Sequence, residues 1–308
     1  MNPTPDRVGS TLLRRINERR LLEVIQRQGP SSRATLTRLS GLTAPTVSKA
    51  VDSLLKRGLV EEREPLDQVV GRPGKLVRMA ADSAAVLGVV IDATTCCVVA
   101  AGLDGRVTES QTRRFASPAA GEPTQETSAA GASVQDTPTD YEPLLDAIEF
   151  HCRDLMAGLR GRVHGIGVSV PGLVNERLGE IVFSPNLHIL DKRNPALDLE
   201  ARLGIGCLLL QETDGLCLAE WLHGAARGLD DFALLDVSTG LGLGVMSGGR
   251  LLAGHSGLAG ELGHVTMVPD GIRCGCGNRG CLETLATDSA LVRRLSGKLG
   301  RPLDITAA

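Results

Sequence analysis

The chain has 308 residues, enough for a small domain joined to a larger one. Hydrophobic content of 42% and a mean hydropathy of +0.05 fit a water-soluble globular protein. Net charge is −3, but residues 1–80 carry 15 Lys and Arg against 8 Asp and Glu, whereas the remainder carries 18 against 28. A basic first module on an acidic body points to a polyanionic partner for that module alone. The chain contains no uninterrupted apolar run of the roughly 18 residues that a membrane span needs. The Arg-rich Met1–Arg20 stretch lacks the apolar centre of a secretory signal. A cytoplasmic protein with no membrane partner is expected.

Leu12, Leu13, Ile16, Leu21, Leu22 and Ile25 recur at helical spacing and stop at Gly29-Pro30. Ser31-Ser32 caps a short second helix carrying Leu36 and Leu39, and Gly41 makes the next turn. Thr43 is a suitable N-cap for a third helix, with Pro45 in its first turn and Val47, Val51, Leu54 and Leu55 on its apolar face. Leu59-Val60 and Leu76–Met79 predict two strands around a charged loop holding Gly71-Arg72-Pro73-Gly74-Lys75. Three helices, a tight turn before the third and a two-stranded ribbon after it make a winged helix-turn-helix over residues 1–80. The start of the third helix leaves Ala44, Pro45, Thr46, Ser48 and Lys49 free for base edges and phosphates of double-stranded DNA. Arg72 is placed like a wing-tip arginine for the minor groove. A three-helix protein-interaction module with a basic face fits the same pattern.

From Ala85 the period becomes two: Val86–Ile91, Cys96–Ala101 and Arg106–Phe115 read as strands, with Asp104-Gly105 as a hairpin turn. Ser117–Asp140, with three prolines, small polar residues and one large aliphatic, reads as a flexible insertion. Beyond it helices (Leu144–Leu159, Ala196–Leu203, Leu216–Ala226) alternate with strands (Gly165–Val170, Cys207–Leu210, Phe232–Val237, Leu243–Met246). Residues 84–308 are therefore expected to form an α/β body whose sheet begins as a meander.

Five of the eight cysteines (Cys96, Cys97, Cys152, Cys207, Cys217) sit in apolar stretches as small core residues. Cys274, Cys276 and Cys281 instead form a C-x-C-x4-C cluster on a loop with Gly275, Gly277 and Gly280. With His264 as fourth ligand the set is Cys3His, a closed tetrahedral site suited to structural Zn2+. Redox-active thiols or a single disulfide are the alternatives. A metal gripping both segments would bring Glu261 and Glu283 into one neighbourhood, as carboxylates for hydroxyl recognition or as solvated surface charges.

Four segments together resemble the ROK family of sugar repressors and sugar kinases: Gly165–Gly172, Ser184-Pro185-Asn186-Leu187, Leu258–His264 and Cys274–Glu283. The winged helix with Gly71-Arg72-Pro73 is similar to that family's repressor branch. The resemblance implies an actin-like, ribonuclease-H-type fold, zinc on His264, Cys274, Cys276 and Cys281, and a sugar or sugar-phosphate effector held by Asn186, Glu212, Glu261, His264 and Glu283. Three departures bear on kinase activity. The family's glycine-rich phosphate loop reads Asp92-Ala93-Thr94-Thr95, with two Cβ atoms in place of glycines. The kinase general base falls on Glu212, in Gln211-Glu212, where an extra methylene displaces the carboxylate by about 1 Å. Only 23 residues follow Leu285, so the chain is expected to be C-terminally short, with apolar sheet surface exposed or covered by another chain. The expectation is a homodimeric, non-enzymatic regulator; an ATP-dependent sugar kinase is the alternative.

Overall fold

The computed structural model describes residues 5–64, 75–81, 83–107, 109–118, 141–175, 177–185, 187–238 and 240–303. It divides into two compact units, Met1–Gly88 with Val98–Arg113 and His151–Ile166, and Val89–Cys97 with Arg114–Phe150 and Gly167–Ala308. The division crosses several strands, whereas the sequence pattern placed a boundary between residues 80 and 84.

The first unit opens with helices α1 (Pro5–Gln28), α2 (Arg33–Ser40) and α3 (Ala44–Lys56), and with strands β1 (Ser31–Ser32), β2 (Val60–Arg63) and β3 (Leu76–Met79). The strands form an antiparallel sheet in the order β1-β3-β2. Local chemistry fixes the boundaries. The Ser32 hydroxyl accepts the Thr35 N–H at 3.1 Å, and Gly41 closes α2 in the left-handed region at φ 67°. Thr43 sits at the N-cap of α3 but caps with no side-chain bond; its hydroxyl lies 2.8 Å from that of Thr46. Leu21, Ile25, Leu36, Val47, Val51 and Leu54 close a buried core under the sheet. Leu12, Leu13 and Ile16 do not join it: they are 58%, 62% and 51% exposed, whereas Leu21 and Ile25 further along α1 are buried.

A buried carboxylate ties α1 to α3. Glu18 accepts hydrogen bonds from Ser53 (2.6 Å), Arg14 (2.9 Å) and Arg57 (2.8 Å). Its burial opposes ionisation, but the three donors and two positive charges prevail and hold the carboxyl below its ordinary range. Arg33, at the start of α2, donates to Asp52 on α3 (2.8 Å), to Glu62 on β2 (2.9 Å) and to the Ser48 carbonyl (3.4 Å).

Downstream strands are β4 (Ala84–Val90), β5 (Thr95–Gly102) and β6 (Thr112–Ala116), followed by α4 (Tyr141–Gly158), β7 (Arg162–Val170), β8 (Leu173–Asn175), β9 (Glu180–Phe183), α5 (Pro195–Leu203), β10 (Cys207–Gln211) and α6 (Glu212–His223). Five of these strands form a sheet in the order β10-β7-β4-β5-β6, so β4, β5 and β6 are the expected meander. The strand expected over 106–115 begins only at Thr112. The Arg106 N–H is taken by the Asp104 carboxylate at 3.2 Å, and a 3-10 turn at Glu109–Gln111 intervenes. Ser117, expected in the flexible insertion, is buried and its N–H donates to the Thr94 carbonyl at 2.8 Å; residues 119–140 lie outside the described residues. Cys96, Cys152 and Cys217 are buried as expected, but Cys97 and Cys207 are only half-buried.

The second unit ends in β11 (Phe232–Val237), β12 (Leu241–Ser247), β13 (Arg250–Leu251), α7 (Glu283–Ala286) and α8 (Asp288–Leu299). β11 and β12 form a tight antiparallel hairpin that pairs Val237 with Leu241. Two glycines let α6 approach β12: a Cβ on Gly242 would meet the Thr213 side chain at 2.2 Å, and one on Gly244 the Thr213 carbonyl at 2.8 Å. On β11, Leu235 and Val237 are 54% and 47% exposed.

Candidate ligand cleft and metal centre

A single cleft in the second unit gathers most of the residues singled out downstream of the winged helix. Its walls include Asp92 and Ala93 after β4, Gly172 and Pro185, and Gln211 and Glu212 at the β10–α6 junction. Asp236, Ser238, Gly240 and Gly242 come from the hairpin, and Glu261, His264, Cys276 and Glu283 from the irregular segment beyond it. Glu212, Glu261, His264 and Glu283 therefore share one concave site. Asn186 lies outside the described residues, between cleft-lining Pro185 and buried Leu187.

Glycines press the irregular segment onto the hairpin. Gly260 (φ 89°) and Gly263 lie so close to β12 that a Cβ on either would stand 2.0 or 2.1 Å from the Leu243 or Leu241 carbonyl oxygen. This close approach aims Glu261 into the cleft, where its Oε1 accepts a hydrogen bond from the Gln211 side-chain amide at 3.0 Å. Glu283 is fixed similarly: its Oε2 accepts the Leu241 N–H at 3.2 Å, and its Oε1 stands 3.5 Å from the Cys274 sulfur. Glu212, in the first turn of α6, has its carboxyl pushed up by burial and then by the nearby charges of Asp236 and Asp92. Sequence reasoning missed Asp236 altogether; its position just before a glycine-rich hairpin is the only local signal.

Behind the cleft, the ligand atoms of His264, Cys274, Cys276 and Cys281 all lie within 4.8 Å of one another. Bond lengths of about 2.3 Å to sulfur and 2.0–2.1 Å to nitrogen give a tetrahedron with edges of about 3.8 Å between sulfurs and about 3.6 Å between sulfur and nitrogen. The Cys276–Cys281 separation is 3.8 Å and the Cys274–His264 Nδ1 separation 3.6 Å, so two of the six edges match those of a tetrahedral ion and the four residues could hold one. By itself the cluster resists ionisation. Burial pushes the Cys274 thiol up to about 12, with Cys276 and the Glu283 carboxylate adding to it, and burial raises Cys281 too. A bound cation has to displace those protons. Of the three loop glycines, Gly277 and Gly280 use the left-handed region (φ 91° and 63°); Gly275, expected to join them, does not. The His264 ring faces two ways: Nδ1 towards Cys274 and Nε2 towards Glu261 Oε2, 3.7 Å away.

In the first unit Ala44, Pro45 and Lys49 are exposed at the start of α3, with Thr46 and Ser48 half-buried beside them; Arg72 lies outside the described residues.

Comparison with known proteins agrees with this architecture. A model of the ROK family matches residues 122–306, more than half of the chain. The chain belongs to the ROK family. A MarR family model matches residues 13–68, over the winged helix-turn-helix, so the fold is a MarR-type winged helix followed by a ROK domain of α/β class. The xylose repressor of Bacillus subtilis is 29% identical over 297 residues, covering 95% of this chain and 71% of the repressor. The regulator NagC of Escherichia coli is 28% identical, covering 92% of this chain and 65% of its own length. This ROK chain thus spans about two thirds of the length of those regulators. The crystal structure of a ROK family transcriptional regulator, a homolog of the E. coli MLC protein, superposes with a TM-score of 0.73 at 27% identity, over 94% of this chain and 68% of that one. ROK sugar kinases match over a smaller part of the chain. A glucokinase from Streptomyces coelicolor is 35% identical over 159 residues, 51% of this chain and 49% of the kinase. Among the described residues no helix is long and apolar enough to cross a membrane.

Proposed function

We propose that this chain is a sugar-responsive, DNA-binding transcription regulator acting in the cytoplasm. Residues 1–80 would read an operator, and 84–308 would sense the effector. The observation that carries this reading is that an α3 start exposing Ala44, Pro45 and Lys49 occurs in one chain with a carboxylate-lined cleft walled by Glu212, Glu261, His264 and Glu283. In the DNA complex Ala44, Pro45, Thr46, Ser48 and Lys49 face the major groove and Arg72 the minor groove. Two copies bind as a homodimer on paired half-sites.

In the sensor domain, Asn186, Glu212, Glu261, His264 and Glu283 accept or donate hydrogen bonds to sugar hydroxyls. Zinc on His264, Cys274, Cys276 and Cys281 is structural in this reading. It supplies a closed tetrahedral crosslink, and the chain's own loop then presents Glu283 and the Nε2 edge of His264 to the cleft. The sugar shifts the equilibrium between DNA-competent and incompetent forms by binding one of them more tightly.

The test is a fluorescence-anisotropy titration of the protein with duplex DNA from its own upstream region, at two salt concentrations, with and without sugars. Salt-dependent binding that a sugar changes supports the reading; no salt-dependent binding removes it. The kinase matches keep a second reading open, because Glu212 lines the same cleft as Ser238, Gly240 and Gly242. Ala93 lines that cleft where the kinase pattern has glycine, which argues against phosphoryl transfer. An ADP-release assay over a hexose panel, with Glu212→Ala as control, separates the two.

A further inference from the structure

The charge of the cleft discriminates between two effector classes that the family resemblance leaves open. Its walls carry five carboxylates, Asp92, Glu212, Asp236, Glu261 and Glu283, and among the described residues lining it none is Lys or Arg. A phosphorylated sugar brings about two negative charges at neutral pH, and it is normally met by arginine, lysine or a helix N-terminus. Of the helices that start at this cleft among the described residues, α6 has Glu212 and Asp214 in its first turn, and the four-residue α7 begins on Glu283 itself. Those carboxylates offset the partial positive charge that would attract an anion. Nor does the metal centre compensate: a divalent ion on three thiolates and a neutral imidazole carries a net charge of −1.

From this distribution we infer that the effector is an unphosphorylated sugar, neutral or bearing an ammonium group, and that the corresponding sugar phosphate is excluded. The inference rests on the reading of this cleft as the sugar site and sharpens it. Three of the five carboxylates already hold protein donors: Glu261 takes the Gln211 amide, Glu283 the Leu241 N–H and Asp92 the Thr94 N–H. Glu212 and Asp236 remain to receive hydroxyl or ammonium protons. Burial first, and then repulsion from the nearby Asp236 and Asp92, raises the Glu212 carboxyl. A sugar hydroxyl or ammonium donating to them relieves that repulsion, whereas a phosphate increases it.

The experiment uses the full chain in its zinc-loaded form without added magnesium. Calorimetric titrations cover aldopentoses, aldohexoses, hexosamines and N-acetylhexosamines, each hexose-based sugar beside its 6-phosphate. At least one unphosphorylated sugar is expected to bind, with its 6-phosphate at least about a hundredfold weaker. Asp236→Asn and, independently, Glu212→Gln should each narrow that ratio about tenfold, which a purely steric exclusion of phosphate would not show. A 6-phosphate that binds as tightly as its parent sugar, or an unchanged ratio in both variants, overturns the charge argument while leaving the sugar site standing. A panel in which nothing binds removes the sugar site itself, and the effector class with it.

Discussion

Substituting alanine at Gly280 and at Gly277 separates backbone strain from steric conflict in the metal loop. Both residues occupy the left-handed region, at φ 63° and 91°. An alanine there costs about 1–2 kcal/mol from its own backbone. The surroundings differ. A Cβ on Gly277 meets nothing within 4 Å, whereas one on Gly280 would lie 1.5 Å from the Val268 carbonyl oxygen. No side-chain rotation relieves that overlap, because the backbone fixes where the Cβ stands and its neighbour is a backbone oxygen. Gly280 also accepts the N–H groups of Met267 (2.8 Å) and Val268 (3.1 Å), so moving it breaks bonds that anchor the loop beside Cys281. Losing two such bonds adds about 2 kcal/mol, at roughly 1 kcal/mol each. Gly277→Ala should therefore weaken zinc binding about tenfold and Gly280→Ala by several hundredfold or more. Competition against a chromophoric chelator, with zinc content measured by elemental analysis, reads both. Equal losses in the two variants would refute the reasoning, since the strain they share would then account for everything.

Further outcomes follow from the same geometry. Glu18→Gln should destabilise the winged helix by about 2 kcal/mol at neutral pH, through weakened bonds to Ser53, Arg14 and Arg57. The folded state holds the Glu18 carboxyl below its ordinary value, so its contribution is complete above about pH 4.3 and fades as pH falls through the folded value. Melting curves of the two proteins should thus converge in acid, and a constant gap down to pH 2 would contradict the assignment. Arg33→Ala leaves Asp52 and Glu62 without their cation near the proposed DNA face. A DNA affinity about tenfold lower, restored by adding Asp52→Asn and Glu62→Gln, is expected in anisotropy titrations, while the cost in stability stays near 1 kcal/mol. Lys49→Ala should weaken binding to all duplexes alike and reduce the salt slope by about one ion; a loss confined to one sequence would point to base recognition instead.

What could be read from the sequence was mostly what is encoded within a few residues. The Ser32 cap, the Gly41 turn and the apolar face of α3 depend on neighbours one turn away, and they stand where the pattern placed them. The Cys274–Cys281 cluster was legible for the same reason, since three glycines and Asn278 declare a loop and three cysteines declare thiol ligands. Periodicity alone could not say which face finds a partner: Leu12, Leu13 and Ile16 keep helical spacing yet meet no second layer among the described residues. Long-range placement was equally invisible. Nothing near Gln211 announces that its amide will hold Glu261, fifty residues on, and nothing around Asp236 marks it as a wall of the same cleft. The helix α8 escaped notice although Thr287-Asp288 and Gly300 are ordinary start and stop signals; its leucines Leu291, Leu295 and Leu299 lie exposed, so no apolar face finds a core.

His264 turns one ring edge to the sulfur cluster and the other to Glu261. Two ligands that share an imidazole cannot have independent affinities. If the proposed sugar and zinc both use this ring, a sugar that orders the Nε2 side would lower the cost of presenting Nδ1, and by thermodynamic reciprocity zinc would tighten the sugar by the same factor. Scarcity of the metal would then blunt the cell's response to the carbohydrate, making one regulator answerable to two nutrients.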